Sequence, residues 1–258
     1  MNLRQRGWSL TGFRESRSHW GDASLTALLV TQSLTIFVAI PIAATHPAGR
    51  ALLDVSHLVV AAVSALALTD RLTARSALLA SLLVVAVGPA VWDGVGARLD
   101  FGANAPHEMI AMVAFIFTVL VTALVMSRTF APGRVTAHRV QGAVLVYLNV
   151  AALCTIAFDV LATHAPGAIA STTGGMLSTD PRARMAELSY FSLATITTTG
   201  YGDLVPVHPL ARSLANLEAL FGQLFPATLL ARLVALHLAH SEATEGAEPD
   251  DGSHEPES

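Results

Sequence analysis

The sequence predicts an all-α integral membrane protein, with six helices that cross the bilayer and one short helix that enters it without crossing. Three observations predict this fold class. Hydrophobic residues make up 53% of the 258 and charged residues only 13%, with a mean hydropathy of +0.55, whereas ordinary globular domains are about 25% charged. Six runs approach the ~20 mainly apolar residues that a spanning helix requires. Between the last two runs, a short apolar stretch ends in a polar, glycine-bearing string.

The first span covers Ser24 to about Thr45, with Pro41 near its end. It exceeds the roughly 7–15 apolar residues of a signal-peptide core and is expected to stay as an anchor. The second covers Ala51 to Thr69, its apolar stretch shortened by Asp54 and His57. The third covers Thr73 to Trp92 and is broken late by Gly88-Pro89. The fourth covers His107 to Ser127, the fifth Arg139 to Thr163 and the sixth Pro209 to His237. This divides the chain into a cytoplasmic segment 1–23, a four-helix region 24–130, a second membrane unit 131–238 and an acidic tail 239–258. From Ser241 to Ser258 the tail holds seven acidic residues and no arginine, a composition expected to be disordered.

All fifteen basic residues are arginine, and their placement orients the chain. Arg4, Arg6, Arg14, Arg17, Arg71, Arg75, Arg128, Arg134, Arg139 and Arg232 fall on one side. Arg50, Arg98, Arg182, Arg184 and Arg212 fall on the other. Both termini are therefore expected in the cytoplasm of a multi-pass inner (plasma) membrane protein, with the fifth–sixth connection outside.

Several function classes fall away on composition. No basic run or arginine patch offers a nucleic-acid footprint. The one cysteine, Cys154, leaves no intrachain disulfide and no cysteine-based metal site. The ten histidines, including His57, His107 and His164 near membrane boundaries, show no ligand spacing. No catalytic constellation or phosphate loop is present, so neither enzyme activity nor a cofactor or small-molecule substrate is expected.

The fifth–sixth connection carries the chemistry. His164 to Pro181, with Pro166, Gly167, Gly174 and Gly175, reads as an external loop, and Arg182 to Thr197 as a short re-entrant helix. Non-helical backbone at membrane depth is tolerated only where it lines water or is buried in protein. The string that follows reads Thr195-Ile196-Thr197-Thr198-Thr199-Gly200-Tyr201-Gly202-Asp203-Leu204. A dehydrated cation needs rings of oxygen in place of its water, and consecutive backbone carbonyls supply them if they point the same way. That demands alternation between left- and right-handed backbone, which Gly200 and Gly202 allow without steric cost. The C-terminal end of the short helix adds a partial negative charge that favours a cation.

This string resembles the selectivity-filter signature of potassium channels. Roughly Arg139 to His237 resembles the pore module of bacterial pore-loop potassium channels, here with four extra N-terminal helices. The resemblance implies a homotetrameric pore, because each chain supplies one of four loops. It implies that the Thr198 hydroxyl and the carbonyls of Thr198, Thr199, Gly200 and Tyr201 line K+ sites, with Gly202 completing the ion-binding string. Thr197, Asp203, Tyr190 and Glu218 are then its expected supports. Asp203-Leu204-Val205-Pro206 matches the family's exit sequence, and Arg212 matches an arginine common at the outer end of the inner helix. The middle filter position is Thr199 and not Val; the preceding aromatic pair is Tyr190-Phe191 and not Trp-Trp.

On the sixth span, Gly222 and Pro226 are gating candidates. Gly222 stands where the family has a hinge glycine and is equally open to being a close helix–helix contact. Pro226 frees a backbone carbonyl and bends the helix. Glu218, a carboxylate inside a span, requires a partner; it is expected to brace the short helix through Thr195 or Tyr190 rather than to line the ion path. From Met109 to Met126 the fourth span has no charge, so no arginine-based voltage sensor is expected. Asp54, His57 and Asp159 are polar at depth with no assigned role. Lipids and other copies of the chain are the expected partners. Two alternatives stand beside passive potassium conduction: a non-selective cation channel on the same scaffold, and a membrane sensor or haem protein using the N-terminal helices.

Overall fold

The computed structural model describes residues 24–46, 48–67, 105–130 and 137–245. In chain order they form α1 (Ser24–Thr45), α2 (Ala48–Ala67), α3 (Ala105–Thr129), α4 (Ala137–His164), β1 (Ile169–Ser171), α5 (Pro181–Ile196), β2 (Leu204–Pro206) and α6 (Pro209–Glu245). Stretches of α1, α3, α4 and α6 are long and apolar enough to cross a membrane, over Ser24–Thr45, Glu108–Thr129, His138–His164 and Pro209–Arg232. The protein is thus an all-α membrane protein, as its composition requires. The second expected span is helix α2, whose apolar stretch covers only Ala51–Ser64. The third, expected over 73–92, lies outside the described residues, as does the N-terminal segment 1–23.

Local sequence accounts for the irregularities. Helix α1 carries a π-helical turn over Thr35–Ala39, in which the Ile40 N–H reaches the Thr35 carbonyl. Pro41 has no N–H to return to Phe37, and this missing donor sits beside the widened turn. Gly49 allows α1 to fold back directly into α2, since a β-carbon there would lie 2.3 Å from Ala43 backbone. Helix α6 runs to Glu245, past the end expected at His237 and into the stretch expected to be disordered. After Pro226 the next helix-breaking residue is Gly246, and the run between them is rich in good helix formers.

Two apolar clusters organise the packing. One joins the N-terminal helices to α4: Leu25 and Leu28 of α1, Val60 and Ala61 of α2, Phe117, Val121 and Val125 of α3, with Leu145 and Val146. The other centres on Phe158 of α4 and Phe191 of α5, whose rings meet edge-on at 5.0 Å, and includes Ile169, Leu188, Ala211 and Ala215. Antiparallel strands β1 and β2 close this second cluster, with Ala170 opposite Val205. The connection between α4 and α5 is therefore not wholly loop.

Asp159, left without a role by its sequence context, is 1% exposed and accepts from Arg184 Nε at 2.7 Å. Arg184 also donates to the Thr163 hydroxyl at 3.3 Å. The pair ties α5 to α4 near the start of the short helix. Breaking a buried pair strands one charge, which costs about 3–5 kcal/mol. Arg184→Met is expected to lower the melting temperature in detergent sharply, while Arg184→Met combined with Asp159→Asn recovers most of the loss.

Candidate functional site

Helix α5 is too short to cross a membrane. The Asp180 side chain caps its start by accepting from the Ala183 N–H at 3.1 Å, and Pro181 occupies the first turn. Its 16 residues rise only about 24 Å at 1.5 Å each, short of the ~30 Å hydrocarbon core. At its end the Thr197 hydroxyl donates back to Leu193 O at 2.6 Å, the Thr198 N–H reaches Thr195 O at 2.9 Å, and the Gly200 N–H reaches Ala194 O at 3.0 Å.

From there the backbone alternates. Thr198 has φ +57°, Gly200 +53° and Gly202 +80°, while Thr199 and Tyr201 remain at negative φ. This is the pattern that turns successive carbonyls toward one side. The two glycines were legible as its means; Thr198 was not. A β-branched residue in the left-handed region is strained. Here the Thr198 hydroxyl accepts from Gln223 Nε2 of α6 at 3.2 Å, a support that the sequence reading did not single out. Thr197 and Thr199 hydroxyls lie 2.9 Å apart. Residues 197–203 are all exposed, and a β-carbon at Gly200 or Gly202 would meet nothing within 4 Å.

The far end of the string is held from two directions. Tyr190 of α5 stacks on Tyr201 at 5.8 Å with ring planes 11° apart, and its hydroxyl hydrogen-bonds the Asp203 side chain. On the β1 side, the Thr172 hydroxyl donates to Gly202 O at 2.9 Å and the Thr172 N–H to Asp203 O at 2.9 Å. The Gly202 carbonyl is therefore engaged within the chain. Arg212 Nε donates to Pro206 O at 3.1 Å and fixes the turn into α6.

Behind the string, α5 rests on α4 and α6. Glu218 is 1% exposed and braces α5 as expected, but through a different residue. Its partner is the Ser192 hydroxyl, with the Cys154 thiol of α4 nearby and the second carboxylate oxygen without a hydrogen-bond partner. The two expected partners are occupied elsewhere: the Thr195 hydroxyl donates to Phe191 O at 2.8 Å, and Tyr190 turns to Tyr201 and Asp203. Ser192 Oγ also lies 2.7 Å from Ala151 O. One hydroxyl proton serves one of these acceptors at a time, so both are satisfied together only when the carboxyl supplies a second proton.

Gly222 is a contact point. A β-carbon there would fall 1.8 Å from Ile196 O, so α6 presses its backbone against the end of α5. The same carbonyl accepts from the Tyr147 hydroxyl of α4 at 2.7 Å. Tyr147 stacks on Phe221 at 6.5 Å, and Phe221 on Phe225 at 5.0 Å. Nothing local in the sequence marks Tyr147, since its role exists only when α4, α5 and α6 meet. Pro226 lies inside α6, where its missing N–H leaves the Gly222 carbonyl without its helical donor.

Residues 145–237 match the family model described as an ion channel. Over this segment, about a third of the chain, the protein is similar to ion channels. The match covers α5, the string and the contact surfaces of α4 and α6; α1, α2 and α3 precede it. No curated protein and no solved structure matches the chain significantly. Among the described residues no three His, Cys, Asp or Glu side chains converge as a metal site.

Two substitutions test this framework. Gly222→Ala forces α6 off the end of α5, and overpacking of this kind costs about 1–3 kcal/mol; a lower detergent melting temperature is expected. Glu218→Gln retains a donor and an acceptor opposite Ser192 and Cys154, so it should melt near the parent. Glu218→Leu leaves Ser192 and Cys154 facing an apolar group and should melt well below both.

Proposed function

We propose that the chain is one subunit of a potassium-selective channel, a homotetramer that conducts passively through a Thr-Thr-Gly-Tyr-Gly filter. The observation that carries this reading is the alternation of φ through Thr198, Gly200 and Gly202 at the tip of a re-entrant helix. It turns a row of peptide oxygens to one side, and such a row replaces the hydration shell of a bare cation. K+ is then held at the carbonyls of Thr198, Thr199, Gly200 and Tyr201 and at the Thr198 hydroxyl. The negative end of α5 supports a cation on the side of Thr197.

One chain encloses no pathway, and its string is exposed. Helix α6 likewise presents an uncovered apolar stripe, Leu210, Leu217, Leu220, Leu224 and Leu230. Four chains around an axis cover that stripe and bring four strings together. Helix α3 has no charged residue between Met109 and Met126, which supports opening by something other than an arginine-bearing voltage sensor. On the arginine distribution, the string faces outside the plasma membrane and both termini face the cytoplasm.

Purified protein reconstituted in liposomes should pass potassium in a barium-sensitive manner. In mixed potassium and sodium solutions its current should reverse near the potassium equilibrium potential; reversal near zero would establish the non-selective alternative. Gly200→Asp, which places a side chain and a charge at a left-handed position, should abolish the flux. Equal barium-sensitive flux from both proteins would overturn the reading. Gln223→Leu releases the Thr198 hydroxyl and should cut potassium flux by roughly three- to tenfold, the worth of one hydrogen bond.

A further inference from the structure

A cavity of about 370 Å³ lies between the N-terminal helices and the face of α5 turned away from the string. Its volume falls in the range of small-molecule sites. The walls are mostly apolar and come from five helices: Ile36 of α1, Val60 of α2, Phe117 of α3, Ile156 of α4, and Met185 and Leu193 of α5. Several of the polar groups on these walls are engaged. The hydroxyls of Thr35, Thr118 and Thr155 each donate to a carbonyl of their own helix at 2.8 Å. Asp159 is held by Arg184, and Arg182 is exposed to solvent at the rim.

Asn149 differs. It lines the cavity at mid-length of α4, is 3% exposed, and its Nδ2 has no hydrogen-bond partner. A buried amide donor without an acceptor is costly, and an apolar chamber at membrane depth offers few other acceptors. We infer that this cavity binds a neutral, membrane-dissolved amphiphile whose acceptor oxygen, a ketone, ester or ether, takes the Asn149 Nδ2 proton as the buried amide turns into the chamber, while its apolar body fills it. Neutrality follows from the walls. Asp159 is already paired with Arg184 and Arg182 stands in solvent at the rim, so an ionised group carried into the mostly apolar interior would be costly.

The occupant lies against Met185, Ser189 and Leu193 of α5. Leu193 O is the carbonyl that receives the Thr197 hydroxyl. A ligand there therefore touches the helix that carries the string, and it gives the three N-terminal helices a part in the site. The binding inference does not depend on ion selectivity, so its test reads binding alone.

Benzophenone is a suitable probe: a neutral diaryl ketone that, on irradiation, bonds covalently to neighbouring C–H groups. Full-length protein in lipid nanodiscs is irradiated with increasing benzophenone and the attachment sites are mapped by mass spectrometry. Saturable labelling of α5 around Met185 and of α4 around Ile156 is expected. Asn149→Leu should weaken labelling there by roughly three- to tenfold, and Ala152→Phe, which fills the chamber, should remove it. Because Asn149→Leu also deletes an unsatisfied buried donor, it should fold at least as well as the parent. Non-saturating labelling spread over exposed side chains such as Val30 and Met112, or equal labelling of parent and Asn149→Leu, would overturn the inference. Displacement of the probe by oleate more readily than by neutral ketones would overturn the assignment to a neutral ligand.

Discussion

The carbonyl oxygen of Ile196 is the point on which the rest of this structure depends. It belongs to the last residue of α5, and three helices converge on it: α5 supplies it, α4 sends the Tyr147 hydroxyl to it, and α6 lays the bare backbone of Gly222 against it. The left-handed step at Thr198 begins two residues later. Where Ile196 sits determines where the row of carbonyls starts. The aromatic stack of Tyr147, Phe221 and Phe225 holds the convergence from the side. Higher along α5, Ser192 and Glu218 repeat the arrangement with a polar contact.

How much of this was legible in the sequence divides along a physical line. Features set by local chemistry were readable: apolar spans of sufficient length, a short helix starting near Arg182, and glycines where φ must be positive. Features set by the meeting of distant segments were not. Glu218 was recognisable as a carboxylate needing a partner, because a lone charge in a span is expensive. Which hydroxyl it takes depends on the rotation of α5 about its axis, and Ser192, Thr195 and Tyr190 lie within two turns of one another. The positive φ of Thr198 was implied by the alternation but hidden by its residue type, since threonine is disfavoured there. Tyr147 and Thr172 carried no pattern at all. The extension of α6 to Glu245 was masked by acidity, although an uninterrupted run without Gly or Pro pointed to helix.

The N-terminal helices and the segment that follows them are joined by more than apolar packing. The Thr26 hydroxyl donates to Gln141 Oε1 at 2.8 Å, and Gly142 of α4 lets the Thr129 side chain of α3 approach closely, 2.2 Å from where a β-carbon would stand. Arg232 of α6 reaches Phe130 O at 3.3 Å and covers the Phe130 ring at 5.0 Å. These contacts gather where α4 begins and where α6 has passed Pro226.

The contact between Gly222 and Ile196 also says where α6 keeps its freedom. A helix whose backbone is wedged against a neighbour cannot swing about the wedged residue, so the glycine acts as a pivot seat and not as an elbow. The flexible joint lies one turn further along. There Pro226 withholds the N–H that would bind the glycine's carbonyl, and most side chains that follow are exposed, with Arg232 held at Phe130. The shaft is thus seated differently on the two sides of the proline: against α5 by bare backbone on one, by the arginine on Phe130 on the other.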